Sequence, residues 1–331
     1  MRGKPIPLGP GQEFDRIREV LRGARSDSAQ VLVPVGDDAT VLAPDLVLST
    51  DLALEGVHFR LDWVDPGEAG ARAVSAAVSD LAAMGAELIG VLASVAAPPG
   101  DDWAPRAAAF MAGIRDRVED LGGILLGGDL TRSPKGLLAD VVAVGRTNRP
   151  LLRSGARPGD EVWVTGWLGG AAAAVRLWEE GAPVPPSLRR RYASPEPRLA
   201  EARWLVGEAG ARAGLDLSDG LAGDAGHLAA ASGLMVILEA HALPREPHPE
   251  VTLEEALHGG DDFELLVVLP PGAEADGRAG AFRERFNLPL TRVGTLREGR
   301  GVALASPNGG EPVVLTRGGW DHFRRIQEGH S

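Results

Sequence analysis

Cysteine is absent from this chain of 331 residues, and lysine occurs only at Lys4 and Lys135. The first absence excludes disulfide bonds, thiol nucleophiles and thiolate metal sites. A chain without cysteine fits a reducing compartment, so we expect a cytoplasmic protein. The second absence means that arginine supplies almost all of the positive side-chain charge. No Gly-x-x-x-x-Gly-Lys-Ser/Thr loop is present, which excludes a P-loop enzyme, and the protein-kinase signature motifs are also missing.

The chain also lacks positive net charge and a long uninterrupted apolar run. Its formal net charge is −12, which argues against a nucleic-acid partner. A small anionic ligand must then be held by local groups, because the overall field repels it. The most apolar stretch, residues 74–97, is interrupted by Asp80 and Glu87, which argues against a membrane span. Residues 1–12 contain no apolar region typical of a secretory signal.

Short acidic motifs recur along the chain, each beside glycine or a small polar residue. They are Gly36-Asp37-Asp38, Ser49-Thr50-Asp51, Ser79-Asp80, Gly127-Gly128-Asp129, Asp216-Leu217-Ser218-Asp219 and Gly259-Gly260-Asp261-Asp262. Two bare charges about 4 Å apart repel by roughly 4 kcal/mol at an effective dielectric near 20. Aspartates that meet in the fold therefore need a cation among them. Carboxylate oxygens together with substrate phosphates suit Mg²⁺, so the motifs point to phosphoryl transfer.

Each motif also has an ordinary structural interpretation. Aspartate beside glycine is typical of turns, and Ser218 or Asp219 could cap the helix that follows. Asp80 differs, because an unpaired charge inside an alanine-rich helix would be costly, which favours a functional or paired role. Arg153 could be a linker arginine, His58 a polar loop group and Trp320 a core residue.

The predicted elements divide the chain into two parts. Strands and helices alternate through about residue 145, and the pattern restarts after residues 146–160, which are rich in arginine, glycine and proline. We predict a helix over residues 66–84 that carries Asp80 in its later turns. Strands over residues 46–48 and 124–126 should end at the acidic motifs that follow them. The fold class is α/β (α+β), with domains over residues 1–148 and 149–331.

In this order the motifs resemble the thiamine-monophosphate kinase family. That family belongs to a superfamily with aminoimidazole-ribonucleotide synthetase, selenophosphate synthetase and a hydrogenase-maturation factor. The resemblance starts at Glu13-Phe14, includes residues 79–86 and 259–265, and ends at Trp320-Asp321-His322-Phe323. It implies a two-domain PurM-like fold whose N-terminal sheet forms a homodimer.

The resemblance also implies an activity, the ATP-dependent phosphorylation of thiamine monophosphate to thiamine diphosphate. This is the last step of thiamine diphosphate synthesis, by direct in-line transfer with several Mg²⁺ ions. The implied metal ligands are Asp38, Ser49, Thr50, Asp51, Asp80, Asp129, Asp216 and Asp219. The implied ATP contacts are Gly128, Asp129, Arg153 and Ser218, and the implied acceptor contacts are His58, Asp261 and Trp320. The implied catalytic residues are Asp38, Asp129 and Asp219.

The chain departs from the family pattern at a few positions. The family usually has Glu where Asp261 stands and Tyr where Phe263 stands, and the shorter side chain of Asp261 keeps the charge but reduces its reach. Two alternatives stay open. One is another ATP-dependent member of the superfamily, and the other is a non-catalytic protein that binds a divalent metal or a nucleotide. Regular EF-hand spacing is absent, which weighs against the second.

Overall fold

The structure, a computed structural model, describes residues 7–22, 28–273, 276–306, 310–316 and 318–320. The helices in these ranges are α1 Gln12–Val20, α2 Pro66–Ala83, α3 Ala104–Asp120, α4 Gly170–Glu179, α5 Pro186–Ala193, α6 Leu199–Gly207, α7 Leu221–Ser232, α8 Leu253–His258 and α9 Arg278–Phe286. The first six strands are β1 Val31–Val33, β2 Thr40–Leu42, β3 Leu46–Leu54, β4 Glu87–Ala97, β5 Ile124–Arg132 and β6 Leu138–Arg146. The remaining strands are β7 Glu161–Thr165, β8 Ala213–Asp216, β9 Met235–Leu238, β10 Leu265–Leu269, β11 Leu290–Arg297, β12 Gly301–Leu304 and β13 Val313–Val314.

The strands form two mixed sheets, one in each half of the chain. The first has the order β1-β2-β3-β6-β4-β5 and the second has the order β13-β12-β9-β11-β7-β10-β8. Most neighbours are antiparallel, whereas β4 pairs with β5 and β9 pairs with β12 in parallel. The predicted α/β (α+β) class is confirmed. Residues 321–323 of the motif that begins at Trp320 lie outside the described residues.

Helix α2 contacts elements of both halves of the chain, including β6 in the first and β8 in the second, and it carries Asp80. Asp65 and Glu68 form a capping box at its start, and Pro66 occupies a first-turn position that needs no backbone donor. Alanine and valine cover most of its surface and are buried against the first sheet and α3. The approach to α3 is close, because a methyl group on Gly113 would collide with the carbonyl oxygen of Gly67.

The core at α2 spans both halves of the chain. One cluster of buried side chains includes Val74, Leu81 and Val141 from the first half together with Leu188 and Leu199 from the second. The division at residues 148 and 149 therefore stays a prediction, since packing is continuous across it. Across the described ranges, no helix has the length and apolarity needed to cross a membrane.

Two of the predicted strand ends are wrong. Residues 49–51 lie inside β3, and residues 127–129 lie inside β5. Both strands continue past their acidic motifs because neighbouring strands pair with the whole segment, β6 with β3 and β4 with β5. Since successive side chains of a strand point to opposite faces, each motif sends its side chains to both sides of the sheet.

Candidate active site at the junction of the two sheets

Three aspartates from distant parts of the chain meet where the two halves join. Asp38 comes from the loop between β1 and β2, Asp80 from the later turns of α2, and Asp216 from the last position of β8. One carboxylate oxygen of each lies within 4.8 Å of the others. The prediction that Asp80 has a partner or a function is supported by this convergence.

Crowding changes the protonation of these carboxyls. Burial, and then the charges of Asp216 and Asp38, raise the pKa of Asp80 well above its ordinary value. Burial and Asp38 raise the pKa of Asp216 to about 7. The free energy of the cluster therefore favours either protons or a cation among the oxygens.

Hydrogen-bond donors surround the cluster without satisfying it. The hydroxyl of Ser49 donates to Asp80, and the hydroxyl of Ser79 donates to Asp216 at 2.6 Å. Arg153 donates to Oδ1 of Asp38 from Nε at 3.1 Å and from Nη2 at 2.5 Å. Oδ2 of Asp38 is buried and has no partner among the described residues. An orphaned carboxylate oxygen beside two further carboxylates fits a divalent cation.

A second group of residues connects the cluster to the segments that carry Asp261 and Trp320. The side chain of Asp51 lies on the same face of β3 as Ser49, and burial, then the charge of Asp261, raise its pKa. The backbone N–H groups of Asp261 and Trp320 donate to the carbonyls of Ser218 and Asp219 at 2.8 Å and 2.7 Å. These bonds join the loop at residues 259–263 to the C-terminal segment.

His58 lies in the loop after β3 and is linked to Asp261 through Arg72. Its Nδ1 accepts a hydrogen bond from the backbone N–H of Leu54 at 3.1 Å. The neutral ring therefore carries its proton on Nε2, which is the nitrogen that can donate to an anion. The carbonyl of His58 accepts from Arg72 at 3.3 Å and from the Tyr192 hydroxyl at 3.1 Å.

The loop that carries Asp261 is strained. Asp261 has a φ of 68° and Phe263 has a φ of 49°. A left-handed conformation is tolerated by aspartate but costly for a bulky aromatic residue. Such strain is of order 1–3 kcal/mol per residue and concentrates at functional sites, so the loop geometry is itself a sign of function.

Asp219 belongs to a different group, with Asp224 and His227, whose ligand atoms also lie within 4.8 Å of one another. Burial raises the pKa of Asp224 well above its ordinary value and lowers the pKa of His227 to about 3. Both shifts favour the neutral forms. Asp219 and Trp320 also line a cavity of about 860 Å³, which residues 10–14 and 300–302 line as well.

Three other predicted site residues lie on the outer face or the edge of the first sheet, away from the cluster. Thr50 points to the face of the first sheet away from α2, where its hydroxyl donates to Asp140 at 2.7 Å. Asp129 lies on the same outer face, because it pairs with Ser94, which in turn pairs with Asp140. Gly128 is exposed on the edge strand β5, and a side chain there would collide with the carbonyl oxygen of Ala93. That packing constraint explains the glycine without a phosphate.

The residue that sequence reasoning missed is Arg72. Its side chain is only 6% exposed and forms an ion pair with Asp261 at 2.7 Å. The signal was present, since Arg72 is a charged residue in the same alanine-rich helix as Asp80 and the cost of an unpaired charge applies equally to it. Tyr192 gave no comparable signal, because it comes from α5, which the sequence pattern did not reveal as a helix.

Comparison with known proteins assigns the chain to a family. The family model for AIR synthase related protein, N-terminal domain, matches residues 36–176, and the model for the C-terminal domain matches residues 157–306. The thiamine-monophosphate kinase of Escherichia coli (strain K12) is 32% identical over 333 aligned residues, covering 94% of this chain and 98% of that protein. The chain belongs to the thiamine-monophosphate kinase family.

Solved structures of family members have the same fold. A thiamine-monophosphate kinase from Stenotrophomonas maltophilia K279a aligns with a TM-score of 0.72 and 33% identity, over 90% of this chain and 96% of that one. AaThiL complexed with AMPPCP and TMP aligns with a TM-score of 0.77 and 30% identity, over 95% and 97% of the two chains. The predicted PurM-like fold and family membership are confirmed.

The raised pKa of Asp216 predicts how stability depends on pH and Mg²⁺. A carboxyl whose pKa rises on folding stabilises the native state fully below its unfolded pKa, and this stability is lost as the pH rises through the folded value. For Asp216 that window runs from its ordinary value of 3.8 to about 7. We therefore expect Asp216→Asn, which cannot ionise, to raise the Tm of the metal-free protein at about pH 8 and to change it much less at about pH 5.

Calorimetry in a chelator and in excess Mg²⁺ measures this effect. Mg²⁺ should raise the Tm of the unmodified protein at about pH 8 more than that of Asp216→Asn, because it replaces the missing proton. Asp102→Asn, at an exposed aspartate, is the control. The difference in Tm between this variant and the unmodified protein should be the same at both pH values. The same Tm difference at both pH values would contradict the assignment of Asp216 to a self-repelling cluster.

Proposed function

We propose that this chain transfers the terminal phosphoryl group of ATP to thiamine monophosphate and so forms thiamine diphosphate and ADP. The observation that carries the proposal is the convergence of Asp38, Asp80 and Asp216, with one buried carboxylate oxygen left unpartnered. The family supports the substrates, because relatives are thiamine-monophosphate kinases and AaThiL binds AMPPCP together with TMP. We infer that the TMP bound to AaThiL is thiamine monophosphate.

Several Mg²⁺ ions are the proposed metal partners. Asp38, Asp80 and Asp216 would hold one ion. Asp51, whose charge raises the pKa of Asp80, is proposed as a further ligand. Bound Mg²⁺ would neutralise the phosphates and align them for in-line displacement. Ser49 donates to Asp80 here, so it would act as a ligand only after that hydrogen bond is exchanged. Asp219 is proposed as a ligand from the neighbouring group.

The acceptor needs positioning more than activation. A phosphate monoester has a second pKa of about 6, so near neutral pH it is already a nucleophilic anion. Its oxygen forms the new bond to the terminal phosphorus of ATP, while the bond from that phosphorus to the bridging oxygen breaks and ADP leaves. His58 is proposed to donate from Nε2 to the acceptor phosphate. Trp320 offers an aromatic face to the cationic thiazolium, and Asp261 orients the heterocycle.

The nucleotide contacts implied by the resemblance come from both halves of the chain. They are Gly128, Asp129, Arg153 and Ser218, and the last two are the proposed ATP residues. Arg153 is bonded to Asp38 here, so holding a phosphate would require it to share or exchange that partner. Asp38 and Asp219 are the proposed catalytic residues, acting through charge neutralisation at the transferring group. A catalytic role for Asp129, and ATP contacts from Gly128 and Asp129, stay predictions of the resemblance, because both residues lie away from the cluster, on the outer face and edge of the first sheet.

A homodimer formed through the first sheet is part of the proposal. Leu52, Leu92 and Leu126 are 46%, 40% and 42% exposed on or beside the face of the sheet that carries Asp129. Strand β5 is exposed along its entire length, and a sheet edge and apolar face of this kind favour burial against a second copy. The partner would then cover the face on which Asp129 and Thr50 lie. A cytoplasmic location remains a prediction of the sequence.

The test of the function is acceptor-dependent ATP turnover. Purified protein with ATP and Mg²⁺ should release ADP and form thiamine diphosphate in equal amounts when thiamine monophosphate is present. Without an acceptor, or with unphosphorylated thiamine, ADP release should be negligible. Chromatographic quantification of both products decides the question, and equal ADP release with and without thiamine monophosphate would refute the proposal.

The proposed role of Trp320 predicts a selective binding defect. A cation–π contact with tryptophan contributes about 0.5–2 kcal/mol, and about 1.4 kcal/mol is a factor of ten. Trp320→Ala should therefore raise the KM for thiamine monophosphate roughly tenfold and leave the KM for ATP nearly unchanged. Trp320→Phe keeps an aromatic face and should raise the KM for thiamine monophosphate less than Trp320→Ala does. Steady-state kinetics with each substrate varied measures both KM values. An increase in the KM for ATP instead of thiamine monophosphate would contradict the assignment of Trp320 to the acceptor site.

The dimer proposal predicts which leucine is sensitive to charge. Leu92→Glu places a carboxylate on the outer face of the first sheet and should convert the dimer to a monomer in sedimentation at micromolar concentration. Leu253→Glu is the matched control, because Leu253 is also 40% exposed but lies on α8 in the other half of the chain. A monomeric unmodified protein, or equal dissociation in both variants, would count against the proposed interface.

A further inference from the structure

Arg72 connects three segments that are far apart in the sequence. Its Nε donates to the carbonyl of His58 at 3.3 Å and its Nη1 to the carbonyl of Tyr192 at 2.6 Å. Its Nη2 contacts Oδ2 of Asp261 at 2.7 Å. One guanidinium thus links the loop after β3, the end of α5 and the strained loop before β10.

Aromatic side chains enclose the guanidinium. Its central carbon lies 4.1 Å from the centre of the Tyr192 ring and 5.7 Å from that of Phe263. The Tyr192 hydroxyl also donates to the carbonyl of His58 at 3.1 Å. The planar guanidinium of arginine can stack on an aromatic ring and donate hydrogen bonds in several directions at once, which the ammonium group of lysine cannot do.

The burial of Arg72 limits what it can do directly. With 6% of its side chain exposed, it offers little surface to a substrate. Two of the groups that it holds, His58 and Asp261, are the residues proposed to contact thiamine monophosphate. The side chain of Asp261 remains 40% exposed, so it can face a ligand while Arg72 binds one of its oxygens.

We propose that Arg72 is a positioning residue of the acceptor site, which fixes the His58 loop and the Asp261 carboxylate relative to each other. This inference rests on the proposed function. The pairing also changes the role of Asp261, because a carboxylate bound to an arginine attracts a cationic ring less than a free one. Asp261 then serves mainly to orient the heterocycle, and its shorter side chain suits the distance to Arg72.

A second arginine provides a matched control. Arg117 is 12% exposed and also joins the two halves of the chain, since it donates to the carbonyl of Pro195 at 2.9 Å and to Glu196 at 2.7 Å. It binds the Ser75 hydroxyl on α2 at 2.9 Å. Within the described residues, none of these contacts of Arg117 involves His58 or Asp261. Its loss should therefore affect stability without affecting acceptor binding.

The experiment compares Arg72→Lys, Arg72→Gln and Arg117→Gln by steady-state kinetics with each substrate varied and by thermal unfolding. We expect Arg72→Lys to raise the KM for thiamine monophosphate about tenfold, with the KM for ATP within about twofold of the unmodified value. Arg72→Gln should have the larger effect of the two. Arg117→Gln should lower the Tm and leave both KM values within about twofold.

Asp261→Asn keeps the proposal testable if Arg72→Gln does not fold, because Asp261 lies at the surface. When Arg72→Lys and Asp261→Asn are combined, the increase in KM should be smaller than the product of the two single increases, since both changes break the same contact. Multiplicative effects would overturn the proposal. So would an unchanged KM in Arg72→Lys, equal increases for ATP and thiamine monophosphate, or the same KM change in Arg117→Gln.

The outcomes separate this inference from the function on which it rests. If the unmodified protein does not phosphorylate thiamine monophosphate, the proposed function fails and the inference fails with it. If the unmodified protein is active and Arg72→Lys binds thiamine monophosphate normally, only the role of Arg72 is refuted.

Discussion

The repulsion among Asp38, Asp80 and Asp216 is the constraint around which this structure is arranged. The three carboxylates lie within 4.8 Å of one another, a separation at which two bare charges repel by roughly 4 kcal/mol at an effective dielectric near 20. That figure is comparable to a large part of the stability of a typical domain. The fold tolerates the cluster because α2 and β8 are fixed by buried packing on both sides of it.

The donors around the cluster are distributed so that each carboxylate receives partial compensation. Ser49 donates a hydrogen bond to Asp80, Ser79 donates one to Asp216, and Arg153 forms an ion pair with Asp38. Ser79 and Asp216 come from different halves of the chain, so the bond between them also helps to hold the halves together. The donors are too few to satisfy every oxygen, which leaves a set of ligands suited to a cation. A ligand that binds such a set stabilises the folded protein by mass action.

Much of this arrangement could be predicted from the sequence, for identifiable reasons. Asp80 was recognisable because a helix of small apolar residues gives a charge no partner of its own. The order of the motifs indicated the family, and with it the fold. The positions of Thr50 and Asp129 could not be predicted from spacing. The sequence pattern predicts that the strands end at these motifs, whereas strand pairing extends through them and alternation sends these side chains outward.

The contacts of Arg72 show that the sequence pattern can reveal a buried charge without revealing its partners. Its charge was visible in the sequence, but its partners are backbone carbonyls of His58 and Tyr192 and a carboxylate almost 190 residues away. Carbonyl acceptors have no sequence signature, since every residue supplies one. The same helix thus places the carboxyl group of Asp80 in the aspartate cluster and the buried guanidinium of Arg72 beside Asp261. Because α2 fixes both, a displacement of this helix would alter the proposed metal ligands and the proposed acceptor contacts together.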